Sequence, residues 1–252
     1  MHQMQQKIPV VPRGGAKTIA RIQAASGLVF GVFLVLHLIA TISGVAGIAA
    51  YDRTLAVIRN LYRPNVAIEF LLIGLSGSVH IGCGVRQMAK RQRLIAVRGS
   101  SWLKAHRLSG YFLLVTVVGH AVATRIGPTF GAGSTATGAA DFAYLAYSVL
   151  GWPWFFWPYY VLLGMCGAIH LGLGVHLALR ILIPRRIPAG APSRGYLLGV
   201  GAFVLVAAMG VVAIAARSPS SSRQRFTEYR QICERFAPFI ARHRADEASD
   251  LR

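Results

Sequence analysis

Five long apolar runs constrain the fold of this chain more than any other feature of its sequence. A bilayer-spanning helix needs about 20 mostly apolar residues, and each run is close to that length or longer. Continuous apolar segments of this kind are helices, because a helix satisfies its own backbone hydrogen bonds in lipid. The runs cover residues 22–46, 66–88, 108–126, 156–183 and 196–216. We therefore predict an all-α integral membrane protein with five transmembrane helices.

The composition agrees with a membrane protein. Of the 252 residues, 54% are hydrophobic and 14% are charged, whereas a soluble domain carries about 25% charged residues. Lys and Arg number 27 against 8 Asp and Glu, which gives a net charge of +19. The basic residues cluster between the apolar runs, and no aromatic-basic nucleic-acid motif accompanies them. The charge therefore indicates the flanks of membrane spans, and the expected partner is membrane lipid rather than nucleic acid.

The runs also divide the chain into three parts. Residues 1–20 form a basic arm, residues 21–216 form the membrane domain, and residues 217–252 form a tail that begins with a Ser-rich linker. Within the tail, residues 223–237 place apolar side chains at three-and-four spacing among arginines, which predicts an amphipathic helix. The basic arm and this amphipathic helix are the places where we expect a protein partner to bind.

An internal repeat occupies the first four runs. The pattern Gly-x-x-Gly-x-x-His-x-Gly-x-Gly-Val covers residues 74–85 and recurs at residues 164–175, with His80 and His170 near its centre. Two unrelated apolar helices would rarely match at so many small and polar positions. The recurrence therefore indicates that one structural unit occurs twice.

The first helix of each unit carries a histidine of its own. The Ser-Gly pair at residues 26–27 precedes His37 by the interval at which the pair at residues 109–110 precedes His120. The complete unit covers residues 21–86 and again residues 104–176. The fifth run consists mainly of Val, Ala and Gly, so we expect it to be a scaffold helix.

Each of the first four runs thus contains one histidine that any function must explain. These residues are His37, His80, His120 and His170. Ionisable residues inside membrane spans are rare, face the interior of the bundle and mark functional sites. The alternative role for a single such histidine is a hydrogen bond that joins two helices. Four histidines at repeated offsets favour a shared functional site.

The position of each histidine within its run predicts how the four pair. All four lie in the C-terminal half of their spans, and consecutive spans cross the membrane in opposite directions. His37 and His120 therefore share one depth, and His80 and His170 share another. At a rise of 1.5 Å per residue, the two planes are separated by about 10 Å.

Two planes of two imidazoles suit haem better than other ligands of histidine. Zinc prefers three or four ligands in one place. A proton relay would use carboxylates, and Glu69 is the only acid within the spans. Haem takes one axial ligand on each face and needs a flat slot between helices. We therefore expect one or two haems of the b type.

Small and basic residues near the histidines complete the expected site. Glycines let a backbone approach a flat macrocycle closely, and those predicted to pack against haem are Gly27, Gly77, Gly82, Gly84, Gly110, Gly167, Gly172 and Gly174. Basic side chains at the ends of the spans are candidates for binding the propionates, namely Arg86, His176, Arg21 and Lys104. His106, beside Arg107 at the start of a span, is expected to be an interfacial residue.

These motifs resemble a known family. The Ser-Gly pair before His37, and the sequence His-Arg-Leu-Ser-Gly-Tyr at residues 106–111 before His120, resemble the membrane cytochrome b subunits of succinate dehydrogenase and fumarate reductase. Single-chain members of that family have five spans and two b haems held by four histidines in the first four spans. The resemblance implies haem ligation by the four histidines, electron transfer with a quinone or a redox partner, and a mitochondrial membrane.

A second resemblance leaves another function open. Residues 26–175, including the Leu-Tyr-Arg sequence at residues 61–63 before Glu69, are similar to a mitochondrial outer-membrane family related to those cytochromes. In fungi that family acts in mitochondrial lipid homeostasis at organelle contacts. The alternative function is therefore that of a lipid-homeostasis or contact-site protein without a catalytic redox role. Nothing in the sequence resembles a nucleophile triad or a dinucleotide fingerprint, so either function is that of a membrane anchor or carrier.

Overall fold

The computed structural model describes residues 14–91, 100–126, 142–187 and 190–216. About 91% of these residues are helical, and no strand occurs among them. Five helical segments are long and apolar enough to cross a membrane: Lys17–Ala46, Val66–Ala89, Ser101–Arg125, Pro153–Leu182 and Arg194–Ala216. The predicted all-α fold with five helices of membrane-spanning length is confirmed.

The described part of the chain contains eight α-helices and three short segments of 3₁₀- or π-helix. In chain order the helices are α1 (Gly14–Ser43), α2 (Ile48–Tyr62), α3 (Val66–Glu69), α4 (Ser76–Arg91), α5 (Ser101–Ala121), α6 (Phe142–Gly151), α7 (Pro153–Leu182) and α8 (Arg194–Ala216). A 3₁₀ turn, Gly44–Ala46, follows α1. A π-helical segment, Phe70–Leu75, joins α3 to α4, and another, Val122–Ile126, follows α5. Segments of π-helix are rare and often lie at functional sites.

The connector between the first two spans is itself a helix. Helix α2 buries Leu55, Ile58 and Tyr62, and these residues form a cluster with Ala40 of α1. Proline cannot continue a helix, so Pro64 separates α2 from α3. Asn65 then caps α3, because its side-chain oxygen accepts hydrogen bonds from the backbone N–H groups of residues 67 and 68 at 3.0 and 3.2 Å.

The four histidine-bearing spans pack in a linear order rather than a closed ring. Helix α4 packs on α1, α1 on α7, and α7 on α5, while α8 lies across α7 and α1. Within the described residues α4 and α5 share at most marginal contact. The bundle is therefore covered by α8 on one side and left open between α4 and α5 on another.

Small residues allow the covered side to pack closely. Ala168 of α7 and Ala207 of α8 are 0% exposed and meet Leu38 of α1. A Cβ atom at Gly210 of α8 would stand 2.5 Å from the backbone oxygen of Thr41, so only glycine fits this crossing. Close approach through small residues is the usual way in which membrane helices associate, and α8 is a scaffold helix in this sense.

Helix α1 begins at Gly14, so it extends toward the N-terminus beyond the predicted span and includes the end of the basic arm. The rest of the arm, residues 1–13, lies outside the described residues. So does the tail, residues 217–252, with its predicted amphipathic helix.

Candidate functional site

The four histidines meet as two pairs inside the bundle. The ring centroids of His37 and His120 are 6.1 Å apart, and their planes are inclined by 69°. Those of His80 and His170 are 6.0 Å apart and inclined by 79°. Each pair joins one histidine from the first repeat to one from the second, in the combination that the depth argument predicts.

The spacing of both pairs falls within the range of ordinary ring contacts and is also compatible with two imidazoles on one metal ion. An imidazole nitrogen lies about 2 Å from a metal that it binds and about 1 Å from its own ring centre, so the two centroids stand about 6 Å apart. Haem iron takes its two axial ligands in this way, one on each face of the macrocycle. The two measured separations are therefore compatible with axial ligation in both pairs.

Backbone carbonyls fix the orientation of one pair. Nδ1 of His80 lies 3.0 Å from the backbone oxygen of Gln23, and Nδ1 of His170 lies 3.1 Å from the backbone oxygen of His106. Because a carbonyl oxygen only accepts, each Nδ1 must carry the proton and donate it. Nε2 of each ring then keeps a free lone pair, which is the arrangement of a metal-binding histidine.

The serine of each Ser-Gly pair bonds to backbone oxygens of its own helix. The hydroxyl of Ser109 donates to the oxygen of His106 at 3.0 Å. The hydroxyl of Ser26 lies closest to the oxygen of Ile22, at 2.8 Å, and lies 3.2 Å from the oxygen of Gln23. In the second repeat the oxygen of His106 thus accepts from both a serine and an imidazole, whereas in the first repeat the serine proton is directed mainly to Ile22.

The glycines of the Ser-Gly pairs make room for the same imidazoles. A Cβ atom at Gly27 would stand 2.6 Å from Nδ1 of His80, and one at Gly110 would stand 2.9 Å from Cε1 of His170. Real Cβ atoms essentially never approach a neighbour this closely. The Ser-Gly pair is therefore a recess that seats the histidine of the second helix in each repeat.

The later glycines of the repeat divide into those near the histidines and those elsewhere. Cβ atoms at Gly84 and Gly174 would stand 3.0 and 3.3 Å from side-chain nitrogens of Gln23 and His106, beside the His80/His170 pair. A Cβ at Gly172 would instead meet Val200 of α8 at 2.8 Å. Gly172 therefore serves the packing of the fifth span.

The three remaining glycines lie away from the imidazoles. A Cβ at Gly77 would lie 3.3 Å from the ring of Phe30, and one at Gly167 would lie 3.9 Å from Leu34. Gly82 is exposed, and a Cβ there would have no neighbour within 4 Å among the atoms that the structure describes. These positions repeat in sequence without making equivalent contacts.

The His37/His120 pair also shows equivalent contacts in the two repeats. The hydroxyl of Thr41 donates to the backbone oxygen of His37 at 3.1 Å, and that of Thr124 donates to the backbone oxygen of His120 at 2.8 Å. Phe33 stacks on His37 with centroids 5.8 Å apart and planes inclined by 23°. These contacts restrict the movement of each helix turn that carries an imidazole.

His106 belongs to the site, although its sequence position predicts an interfacial residue. Its ring stacks on that of His170, with centroids 4.3 Å apart and planes inclined by only 15°. His106 stands in the repeat where Gln23 stands in the first unit, next to the histidine that each carbonyl orients. That equivalence was the sequence signal that could have placed it here.

The predicted propionate-binding residues lie at the end of the bundle near the N-terminus of α1. Arg21, Lys104 and Arg86 are exposed. His176 instead packs against two rings, Trp102 at 5.8 Å and Tyr196 at 5.5 Å. Its Nε2 atom is buried and has no hydrogen-bond partner among the described residues.

At the other end, an ion pair bridges the open side of the bundle. Arg125, in the π-helical segment after α5, donates to both carboxylate oxygens of Glu69 at 2.8 and 3.1 Å. Glu69, the single acid within the spans, is therefore held by a cation from the neighbouring span.

No protein-family model matches this chain, and no curated protein or solved structure is significantly similar to it. What the chain does must therefore be argued from the geometry of its own residues.

Proposed function

We propose that this chain is a membrane cytochrome that binds two haems of the b type. One haem would lie between His37 and His120, and the other between His80 and His170. The observation that carries the proposal is the near-equal separation of the two ring pairs, 6.1 and 6.0 Å, which matches two axial imidazoles on one iron.

Three further observations support haem rather than a small metal ion. Among the described residues no group of three or more His, Cys, Asp or Glu side chains could hold a metal ion. The protonated Nδ1 atoms of His80 and His170 leave Nε2 available on both rings. Among the described residues α4 and α5 share at most marginal contact, so a planar group would not have to separate these two helices.

The ligand set favours electron transfer over catalysis at iron. When bound, haem supplies one-electron chemistry. Two histidines on each iron would fill both axial positions and leave none for a substrate. The work of the chain is then to hold the imidazoles rigidly, which the carbonyls of Gln23 and His106 do for one pair. The chain would act as an electron-transfer subunit or membrane anchor.

Two sites at different depths would form a path for electrons across part of the membrane. A quinone is the partner expected within lipid, and an acidic redox protein is the partner expected at the surface. The exposed cations Arg86, Lys104 and Arg107 would attract such a protein at the end near the His80/His170 pair. A mitochondrial membrane is the location that the sequence resemblance implies.

An optical spectrum tests this proposal directly. The full-length chain, expressed with sufficient haem and purified in detergent, should show the reduced-minus-oxidised bands of a low-spin b haem. A pyridine haemochrome assay should count two haems per chain. A purified, folded chain with no haem under these conditions would rule out the proposed function.

The alternative role in lipid homeostasis comes from resemblance, and no contact among the described residues favours it. A four-histidine variant, with His37, His80, His120 and His170 all changed to Ala, separates the two roles. Cells that lack the protein would receive wild type or variant at matched levels. Full rescue of mitochondrial lipid composition by the variant would support the alternative, whereas failure to rescue, with the fold intact, would support the haem-dependent role.

A further inference from the structure

Helix α2 presents two arginines to the end of the bundle that carries His37 and His120. Arg59 and Arg63 are one helical turn apart, and α2 is fixed against α1 through the buried residues Leu55, Ile58 and Tyr62. The sequence motifs assign no role to either arginine. All the predicted propionate-binding residues lie at the opposite end of the bundle.

A continuous line of rings connects this part of α2 to the imidazole of His37. Tyr62 meets Phe33 edge-on at 5.8 Å, and Phe33 stacks on His37 at 5.8 Å. Arg59 lies near enough for its charge to act on the His37 imidazole. Phe33 therefore links the end of α2, where Tyr62 precedes Arg63, to the imidazole of His37.

Arg63 lies near an acid that is already bonded to another cation. Glu69 is the carboxylate close to Arg63, and its two oxygens already accept from Arg125 at 2.8 and 3.1 Å. The Nε atom of Arg63 is buried and has no hydrogen-bond partner within the described part of the chain. A buried donor of this kind is costly unless an acceptor completes it.

We propose that Arg63 binds a carboxylate of the group held between His37 and His120, with Arg59 adding positive charge beside it. The inference rests on the proposed haem function, in which that carboxylate is a propionate. A guanidinium presents several N–H donors in a plane and suits a carboxylate better than any other side chain does. A haem carries both propionates on one edge, and one of these carboxylates would supply the acceptor that the buried Nε atom of Arg63 lacks among the described residues.

This arrangement assigns different cations to the two haems. The His37/His120 haem would direct its propionates toward α2. The His80/His170 haem would direct its propionates to the opposite end, toward residues such as Arg86 and His176. The two propionate pairs would then face opposite surfaces of the membrane.

Variants that retain one haem test the inference. His80→Ala should leave the His37/His120 haem, and His37→Ala should leave the other. Arg63→Gln is added to each, and haem content and the midpoint potential are measured by redox titration. In the His80→Ala background, Arg63→Gln should lower the haem content or move the potential to more negative values, because a cation beside the iron has been removed. In the His37→Ala background it should change neither.

Two controls complete the experiment. Arg53→Gln removes an exposed arginine from the same helix and should leave haem content and potential unchanged. Arg63→Lys keeps the charge but loses the planar donors, so it should restore the potential more than the haem content. Circular dichroism and gel filtration confirm that each variant is folded. If a single-histidine variant loses all of its haem, Arg63→Gln is made in the wild-type chain instead. The two components of its redox titration then give the same comparison between the two haems.

The outcomes separate failure of this inference from failure of the proposed function. If the wild-type chain binds no haem, both the inference and the proposed function fail. A wild-type chain with two haems whose content and potentials are unaffected by Arg63→Gln overturns the carboxylate site alone. Equal effects of Arg63→Gln on both haems also overturn it. So does an Arg63→Gln variant whose haem is unchanged but which loses bound phospholipid, as measured by mass spectrometry.

Discussion

Gly27 lies so close to the imidazole of His80 that no larger residue can replace it. A Cβ atom there would stand 2.6 Å from Nδ1 and 2.8 Å from Cε1. Gly110 is similarly close to His170 in the second repeat, where a Cβ atom would stand 2.9 Å from Cε1 and 3.1 Å from Nδ1. In both repeats the contact between a glycine and an imidazole sets the distance between the two helices of the unit.

Gly27→Ala should therefore disturb the His80/His170 pair and spare the other. The added methyl group must displace the ring or separate α1 from α4, and overpacking of this kind costs about 1–3 kcal/mol. We expect one of the two haems to be lost or to become high-spin, as read from the optical spectrum and the haem count. Gly82→Ala is the matched control, because a Cβ there has no neighbour within 4 Å among the described atoms. Equal haem spectra for the two variants would contradict the role assigned to Gly27.

Single histidine substitutions should fall into two groups, and the two variants in each group should remove the same haem. His37→Ala and His120→Ala should each remove one haem, and His80→Ala and His170→Ala should each remove the other. The reason is that each iron would lose an axial ligand from only one ring pair. The measurement is haem per chain together with a redox titration, in which a different component should disappear for the two groups. Loss of both haems from a folded single variant would show that the sites are not separate.

His106→Gln should alter one haem without removing it. The backbone oxygen of His106, which orients His170, remains in the variant, but the stacked ring at 4.3 Å is lost. Gln is also the residue that the first repeat has at this position, so the change should be tolerated. We expect the low-spin electron paramagnetic resonance signal of the His80/His170 haem to broaden, because His170 gains rotational freedom. The signal of the other haem is the internal control, and an unchanged spectrum would show that the stack does not position His170.

The ion pair between Glu69 and Arg125 should contribute little to stability. Arg125 is 46% exposed and Glu69 is 16% exposed, so solvent and salt screen much of the attraction. A double-mutant cycle of Glu69→Gln and Arg125→Gln, followed by thermal unfolding in detergent, should give a coupling free energy of about 0.2–1 kcal/mol. A substantially larger value would mean that this contact holds the open side of the bundle together.

Sequence alone could predict the spans and the choice of partners among the histidines. Length and hydropathy determine which segments cross a membrane, and the alternating direction of the spans puts His37 at the depth of His120. Depth depends only on position along a helix axis. These properties are therefore visible without knowing how any helix is rotated about its axis.

The contacts that depend on helix rotation could not be predicted in this way. His106 stacks on His170 because α5 turns that face toward α7. Its equivalence to Gln23 in the repeat indicates the neighbourhood of His106 but not the stacking of the two rings. The repeated glycines mislead for a related reason. Gly172 meets Val200 because α8 covers α7, whereas its equivalent Gly82 has no such neighbour. A fifth helix that belongs to neither repeat breaks the equivalence of the two.

The distribution of contacts between the repeats has a consequence for how such a protein could arise. Each imidazole pair takes one ring from each repeat, while the carbonyl that orients His80 or His170 comes from the same repeat as the ring. A single two-helix unit thus contains half of both pairs, together with the carbonyl that orients its second histidine. Two copies of that unit, associated as a homodimer, would build both pairs from one short gene. Fusion of the copies would then allow positions such as Gln23 and His106 to differ.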